Sequence, residues 1–102
     1  LEIPGGKVEK KESEKAAAIR ECFEETGVKA KNIKKLIEFH QGLDVHDSIT
    51  KIFFTSDILE DKKLKGRIWV PIKECLKLIY EGKIIDDLTI IAILTYNNKI
   101  KE

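Results

Sequence analysis

Residues 20–28 read Arg-Glu-Cys-Phe-Glu-Glu-Thr-Gly-Val, and they set negative charge against a helix end. A helix stopped by Gly27 would hold Glu24 and Glu25 in its last turn, where the macrodipole is already negative and cations are preferred. Glu21, Glu24 and Glu25 stand at i, i+3 and i+4, so a helix brings them to one face. Their mutual repulsion and the dipole penalty together cost about 1 kcal/mol. A chain with 19 Lys and Arg could have placed a lysine there instead. A hard divalent cation removes the conflict, because carboxylate and carbonyl oxygens suit Mg²⁺ or Mn²⁺ and leave room for water and substrate phosphate. Arg20 stands next to the cluster and can pair with Glu24 or reach Glu12, orienting those carboxylates.

Outward from this stretch, Ser13 offers an N-cap for a helix over 14–26, with Gly27 as its stop. Ala16, Ala17 and Ala18 favour helix, and Ala18 and Cys22, four apart, share its buried face. "LEIPGGKVE" begins as a short strand and breaks at Pro4-Gly5-Gly6, a loop whose backbone can approach a ligand closely. "IKKLIEFHQ" and "SITKIFFTSDI" are β-branched and aromatic, and the loop-like "GLDVHD" between them predicts an antiparallel pair. "GRIWVP" reads as a further strand, and Pro71 leads into a helix with Ile72, Leu76, Ile79 and Tyr80 at helical spacing, ended by Gly82. Asp86 or Asp87 can cap a last helix through "LTIIAILTYNN", with Leu88, Ile91, Ala92 and Thr95 along one side. The order of elements predicts one α+β domain over residues 1–102, with a mixed sheet between helical layers.

Composition narrows the function classes. The chain has 102 residues, 36% of them charged, and a net charge of +1. That is a soluble globular balance without the basic excess of a nucleic-acid binder. No apolar run reaches the ~20 residues of a membrane span and no signal-peptide pattern opens the chain, so neither membrane nor nucleic acid is an expected partner and a cytoplasmic location is the simplest expectation. Cys22 and Cys75 lack a CxxC partner or a histidine at ligand spacing and read as small buried hydrophobes. There is no Met in the sequence, which leads us to expect residues before Leu1.

From Gly6 to Val28 the spacing is Gly6, five residues, Glu12, seven residues, Arg20-Glu21-Cys22, one residue, Glu24-Glu25, one residue, Gly27-Val28. This resembles the Nudix box, Gx5Ex7REUxEExGU with U apolar, and every defined position is filled, with Cys22 at a U position. The resemblance implies an α/β/α sandwich and hydrolysis of a pyrophosphate bond with a divalent metal. It also implies roles: Glu21 and Glu25 as principal metal ligands, Glu24 as a further ligand, direct or through water, Gly5 through its carbonyl, Glu12 as support and Arg20 as the orienting partner.

Beyond the box, "LEIPGGKVE" and "IWVPIKECLKLIYEGKIIDDLTIIAIL" look like the two ends of the ADP-ribose pyrophosphatase subfamily. That likeness implies hydrolysis of ADP-ribose or a related nucleoside diphosphate sugar to AMP and a sugar phosphate, and a homodimer. Two features depart from the subfamily: Gln41 precedes Gly42 where a proline is usual, and the strands that come before the box are not part of the sequence. For the general base, Asp44, His46 and Asp47 share one loop and Glu60 and Asp61 another, with Asp47 taken into the expected site. Nucleoside triphosphates or dinucleoside polyphosphates remain alternative substrates, since the box reads pyrophosphate and metal and not what is attached. A nucleotide-binding module without turnover is the other class of explanation.

Overall fold

The computed structural model describes residues 1–6, 9–40 and 49–101. Its first helix has the expected limits. Helix α1 runs Glu14–Thr26, capped by the Ser13 side chain, which accepts from the Ala16 amide at 3.1 Å. It ends at Gly27 in the left-handed conformation, φ 77°, with the Gly27 amide donating to the Phe23 carbonyl at 2.8 Å. Thr26 completes the stop, because its hydroxyl donates to the Cys22 carbonyl at 2.6 Å and accepts from the Val28 amide at 3.1 Å.

That turn delivers the chain into strand β1, Val28–Lys31, which pairs antiparallel with β4, Asp57–Asp61. Neither strand is apparent in the sequence. β1 carries only two apolar side chains, Val28 and Ala30, both buried, while Lys29 and Lys31 face out. The register sets Lys29 opposite Glu60 and Lys31 opposite Asp57. Opposite charges across a ladder stabilise pairing that low β propensity alone would not predict.

The expected antiparallel pair is present as β2, Lys34–His40, and β3, Ile49–Phe54. Both described pairings are antiparallel, and these two ribbons together with the three helices make the expected α+β fold. Residues 1–6 form no strand. The Ile3 amide, which a sheet neighbour would accept from, donates instead to the Thr89 hydroxyl at 3.0 Å. Residues 66–71, the expected "GRIWVP" strand, have no ladder partner among the described residues. β propensity specifies a residue suited to a sheet but not that a neighbour is there.

Helix α2, Ile72–Tyr80, begins after Pro71 and gives way at Glu81 and Gly82, and it packs on helix α3, Asp87–Ile100. Tyr80 is exposed, while Ile72, Leu76 and Ile79 are half-buried. The Asp86 side chain caps α3, accepting from the Thr89 amide at 3.0 Å and from the Thr89 hydroxyl at 2.7 Å. The fully buried residues of α3 are Thr89, Ala92 and Ile93; of the expected stripe Ala92 is buried, while Leu88, Ile91 and Thr95 are half-buried. α3 packs on β2, and Tyr96 meets Phe54 of β3 with ring centroids 5.6 Å apart. Ala17, Val28, Ala30, Ile33, Ile52, Ile84, Ala92 and Ile93 form the core. No described helix is long and apolar enough to cross a membrane.

Candidate active site

Helix α1 carries the acidic face toward the Pro4-Gly5-Gly6 loop. Glu21 and Glu25 are one turn apart, and each meets a different residue of that loop. The Gly5 amide donates to Glu25 Oε2 at 3.1 Å. A Cβ added to Gly6 would overlap the Glu21 carboxylate, so a larger residue there would displace that side chain.

Arg20 holds the next layer. Its Nε donates to Glu12 Oε2 at 2.8 Å and its Nη2 to Glu12 Oε1 at 3.0 Å, a bidentate clamp. Its Nη1 reaches Glu21 Oε1 at 2.8 Å and Glu24 Oε2 at 3.3 Å. The hydrogen bond from Arg20, helped by the Glu9 amide at 3.0 Å, holds the Glu12 carboxyl below the usual carboxylate range. Reciprocally, Glu12 first and then Glu21 raise the Arg20 guanidinium further above its ordinary value, against partial desolvation. Glu12 therefore stays ionised and fixes the arginine that in turn fixes Glu21.

The three glutamates do not gather as one cluster. Glu24 has its side chain 57% exposed and turns to Arg20, whereas that of Glu21 is 19% exposed and faces the glycine loop. Among the described residues no group of three His, Cys, Asp or Glu side chains stands ready to hold a metal. The donor set still fits a hard cation: two carboxylates one helical turn apart, with the Gly5 peptide beside them. The separation of Glu24 has a simple cause. An arginine at i−4 offers charge compensation on the spot, and the side chain takes it.

Glu21 and Glu25 line a cavity of about 800 Å³ bounded also by Leu36, Ile52, Phe54 and Tyr96. That is within the usual size of small-molecule pockets. Nothing in the local sequence points to Lys51 as part of it. Lys51 is the single Lys or Arg among the described lining residues, and its Nζ meets Glu14 Oε1 at 2.6 Å, a contact that raises its pKa. The β2–β3 register brings it there, which no spacing within one segment reveals.

Of the base candidates, Asp44, His46 and Asp47 lie outside the described residues. Glu60 is exposed on β4, opposite Lys29. Asp61 is engaged away from the cavity, accepting from Arg67 Nη2 at 2.6 Å and from the Lys63 amide at 2.8 Å. Cys22 and Cys75 are free and half-buried. Cys22 Sγ lies 3.6 Å from the Thr26 hydroxyl, and burial pushes the Cys75 thiol up, consistent with packing rather than reactivity.

Comparison with known proteins agrees with this geometry. The family description "NUDIX domain" matches residues 1–87. The chain is 33% identical over 101 residues to the ADP-ribose pyrophosphatase of Bacillus subtilis (strain 168), covering 91% of this chain and 55% of that protein. It is 31% identical over 101 residues to the methanol dehydrogenase activator of Bacillus methanolicus, with the same coverage, 91% and 55%. It is 34% identical over 83 residues to the diphosphoinositol polyphosphate phosphohydrolase 3-beta of Bos taurus, covering 76% of this chain and 51% of that protein. The chain thus spans about half the length of the curated relatives it matches. No solved structure matches.

Proposed function

The chain belongs to the Nudix family, and on that premise we propose that it hydrolyses the pyrophosphate bond of ADP-ribose or a related nucleoside diphosphate sugar, releasing AMP and a sugar phosphate. The observation that carries this is the contact of Glu21 and Glu25 with the Gly5-Gly6 loop at the edge of a nucleotide-sized cavity.

Glu21, Glu25 and the Gly5 carbonyl would hold Mg²⁺ or Mn²⁺, with Glu24 contributing through water. When bound, such a cation neutralises the pyrophosphate and acidifies water for attack on phosphorus. The chain's own residues do the positioning. Glu12 keeps Arg20 in place through two hydrogen bonds, and Arg20 fixes Glu21 through Oε1, so that carboxylate orientation is set before substrate arrives. Gly6 lets the loop backbone approach the carboxylates. Phe54 and Tyr96 give the cavity an aromatic wall suited to a nucleobase. Asp47 is the proposed base, and a cytoplasmic homodimer completes the proposal.

The similarity to diphosphoinositol polyphosphate phosphohydrolases supports a second substrate class, a pyrophosphate carried on something other than a nucleoside sugar. Nucleoside triphosphates and dinucleoside polyphosphates are further alternatives, because the box contacts only the bond they share. Incubation with Mg²⁺ and a panel of ADP-ribose, other ADP-sugars, dinucleotides, triphosphates and a diphosphoinositol polyphosphate separates them. Release of AMP from ADP-ribose, abolished by Glu25→Gln with circular dichroism unchanged, is the expected result. Cleavage confined to another class would replace the substrate, and nucleotide binding without turnover would favour a non-catalytic module.

A further inference from the structure

Arg67 is the cation that the site above leaves unused. Its side chain is 11% exposed, and neither Arg67, Asp61 nor Trp69 lines the carboxylate cavity. Nη2 donates to Asp61 Oδ1 at 2.6 Å, while Nε and Nη1 are buried with no hydrogen-bond partner. Buried guanidinium donors without acceptors are unfavourable, and they mark a place where an acceptor belongs. Asp61 meets only Nη2: its Oδ1 accepts from Nη2 and from the Lys63 amide at 2.8 Å, and neither Nε nor Nη1 has an acceptor among the described residues.

Trp69 stands over this group, with its ring centroid 5.5 Å from the guanidinium carbon. The ring is 65% exposed, so swinging it aside gives up little buried surface. Along the chain the charge near Arg67 is mainly positive. Residues 62–73 hold five of the chain's 19 Lys and Arg and none of its 18 Asp and Glu, while Asp61 just before them pairs with Arg67. Lys62, Lys63 and Lys65 are all exposed, with Lys62 Nζ over the Phe23 ring.

We propose that Arg67, covered by the movable ring of Trp69, is an accessory oxyanion site that takes a phosphoryl group. A dianion suits the local excess of positive charge better than a monoanionic carboxylate does, and its oxygens supply the acceptors that the Nε and Nη1 donors lack. The site is independent of the carboxylate cavity and does not rest on the activity proposed for it.

Trp69 is the single tryptophan, so its intrinsic fluorescence reports directly on this site. The whole chain, free of divalent metal, is titrated with potassium phosphate at constant ionic strength, and in parallel with potassium acetate. Phosphate should give a saturable change and acetate none over the same range. Arg67→Gln should abolish the change, and Arg67→Lys, which keeps the charge but loses the planar fork, should weaken it about tenfold. Circular dichroism checks that each variant is folded, and the lysine variant decides if the glutamine variant is not. A linear response, an equal response to acetate, or an unchanged curve in the Arg67→Lys protein would overturn the proposal.

Discussion

Replacing Gly27 by alanine should destabilise the chain more than replacing Gly82, although both glycines terminate helical segments in the same backbone region. Gly27 has φ 77° and Gly82 φ 73°, so the intrinsic strain of an alanine in the left-handed conformation, about 1–2 kcal/mol, is common to both. The gain from restricting the unfolded chain is also common and cancels in the comparison. Their surroundings differ. A Cβ at Gly27 would lie 2.8 Å from Leu64 Cγ and 3.2 Å from Lys62 Cβ, whereas nothing stands within 4 Å of one at Gly82.

Leu64 is exposed and its side chain can yield in part, but the Lys62 amide, tied to the Gly27 carbonyl at 2.9 Å, keeps the 62–64 backbone against the helix end. Forcing a methyl group into such a contact costs about 1–3 kcal/mol beyond the strain. Urea unfolding followed by circular dichroism should therefore place Gly27→Ala about 1–3 kcal/mol below Gly82→Ala, with m unchanged. Equal losses would show that the contact of the 62–64 segment with the helix end carries no weight. A larger loss at Gly82 would refute the reasoning altogether.

Gly6→Ala should cost about 100-fold in kcat for whichever pyrophosphate substrate is turned over, since displacing the Glu21 carboxylate by an ångström misplaces the reacting groups. Unfolding should move little, because Gly6 is exposed. Thr89→Val keeps shape but removes the hydroxyl joining Ile3 to Asp86, and should lower stability by about 1–3 kcal/mol in the same urea assay. Glu12 has its carboxyl held low by Arg20, so its contribution is complete above the usual carboxylate range and is lost as pH falls through its depressed folded value. In Arg20→Gln that contribution is absent, and acid titration followed by circular dichroism should show unfolding beginning at higher pH than in the parent chain.

Much of the candidate site could be read along a single helix. Ser13, Gly27 and the Glu21–Glu25 spacing are local features, and local hydrogen bonds enforce them: the Ser13 cap, the Thr26 bracket and the left-handed turn at Gly27. The β2–β3 pair was legible for the same reason, since β-branched and aromatic runs flanking a loop make a hairpin without help from elsewhere.

What escaped the sequence depends on neighbours distant along the chain. "VKAK" and "DILED" become strands only by pairing with each other, with Lys29 opposite Glu60 and Lys31 opposite Asp57, and "LEIP" loses its expected ladder to a hydroxyl 86 residues away. The inward face of α3 is set by its packing against α2 and β2, which buries Thr89 and Ile93 beside the expected Ala92. In the site, sequence alone determined that Glu21 and Glu25 share a helix face and that Arg20 has acids within reach. Only the tertiary structure decided that Gly5 and Gly6 meet Glu25 and Glu21 and that Lys51 joins the cavity wall. The division is physical: helix periodicity fixes which side chains can share a face, while long-range contacts decide which partner each one takes.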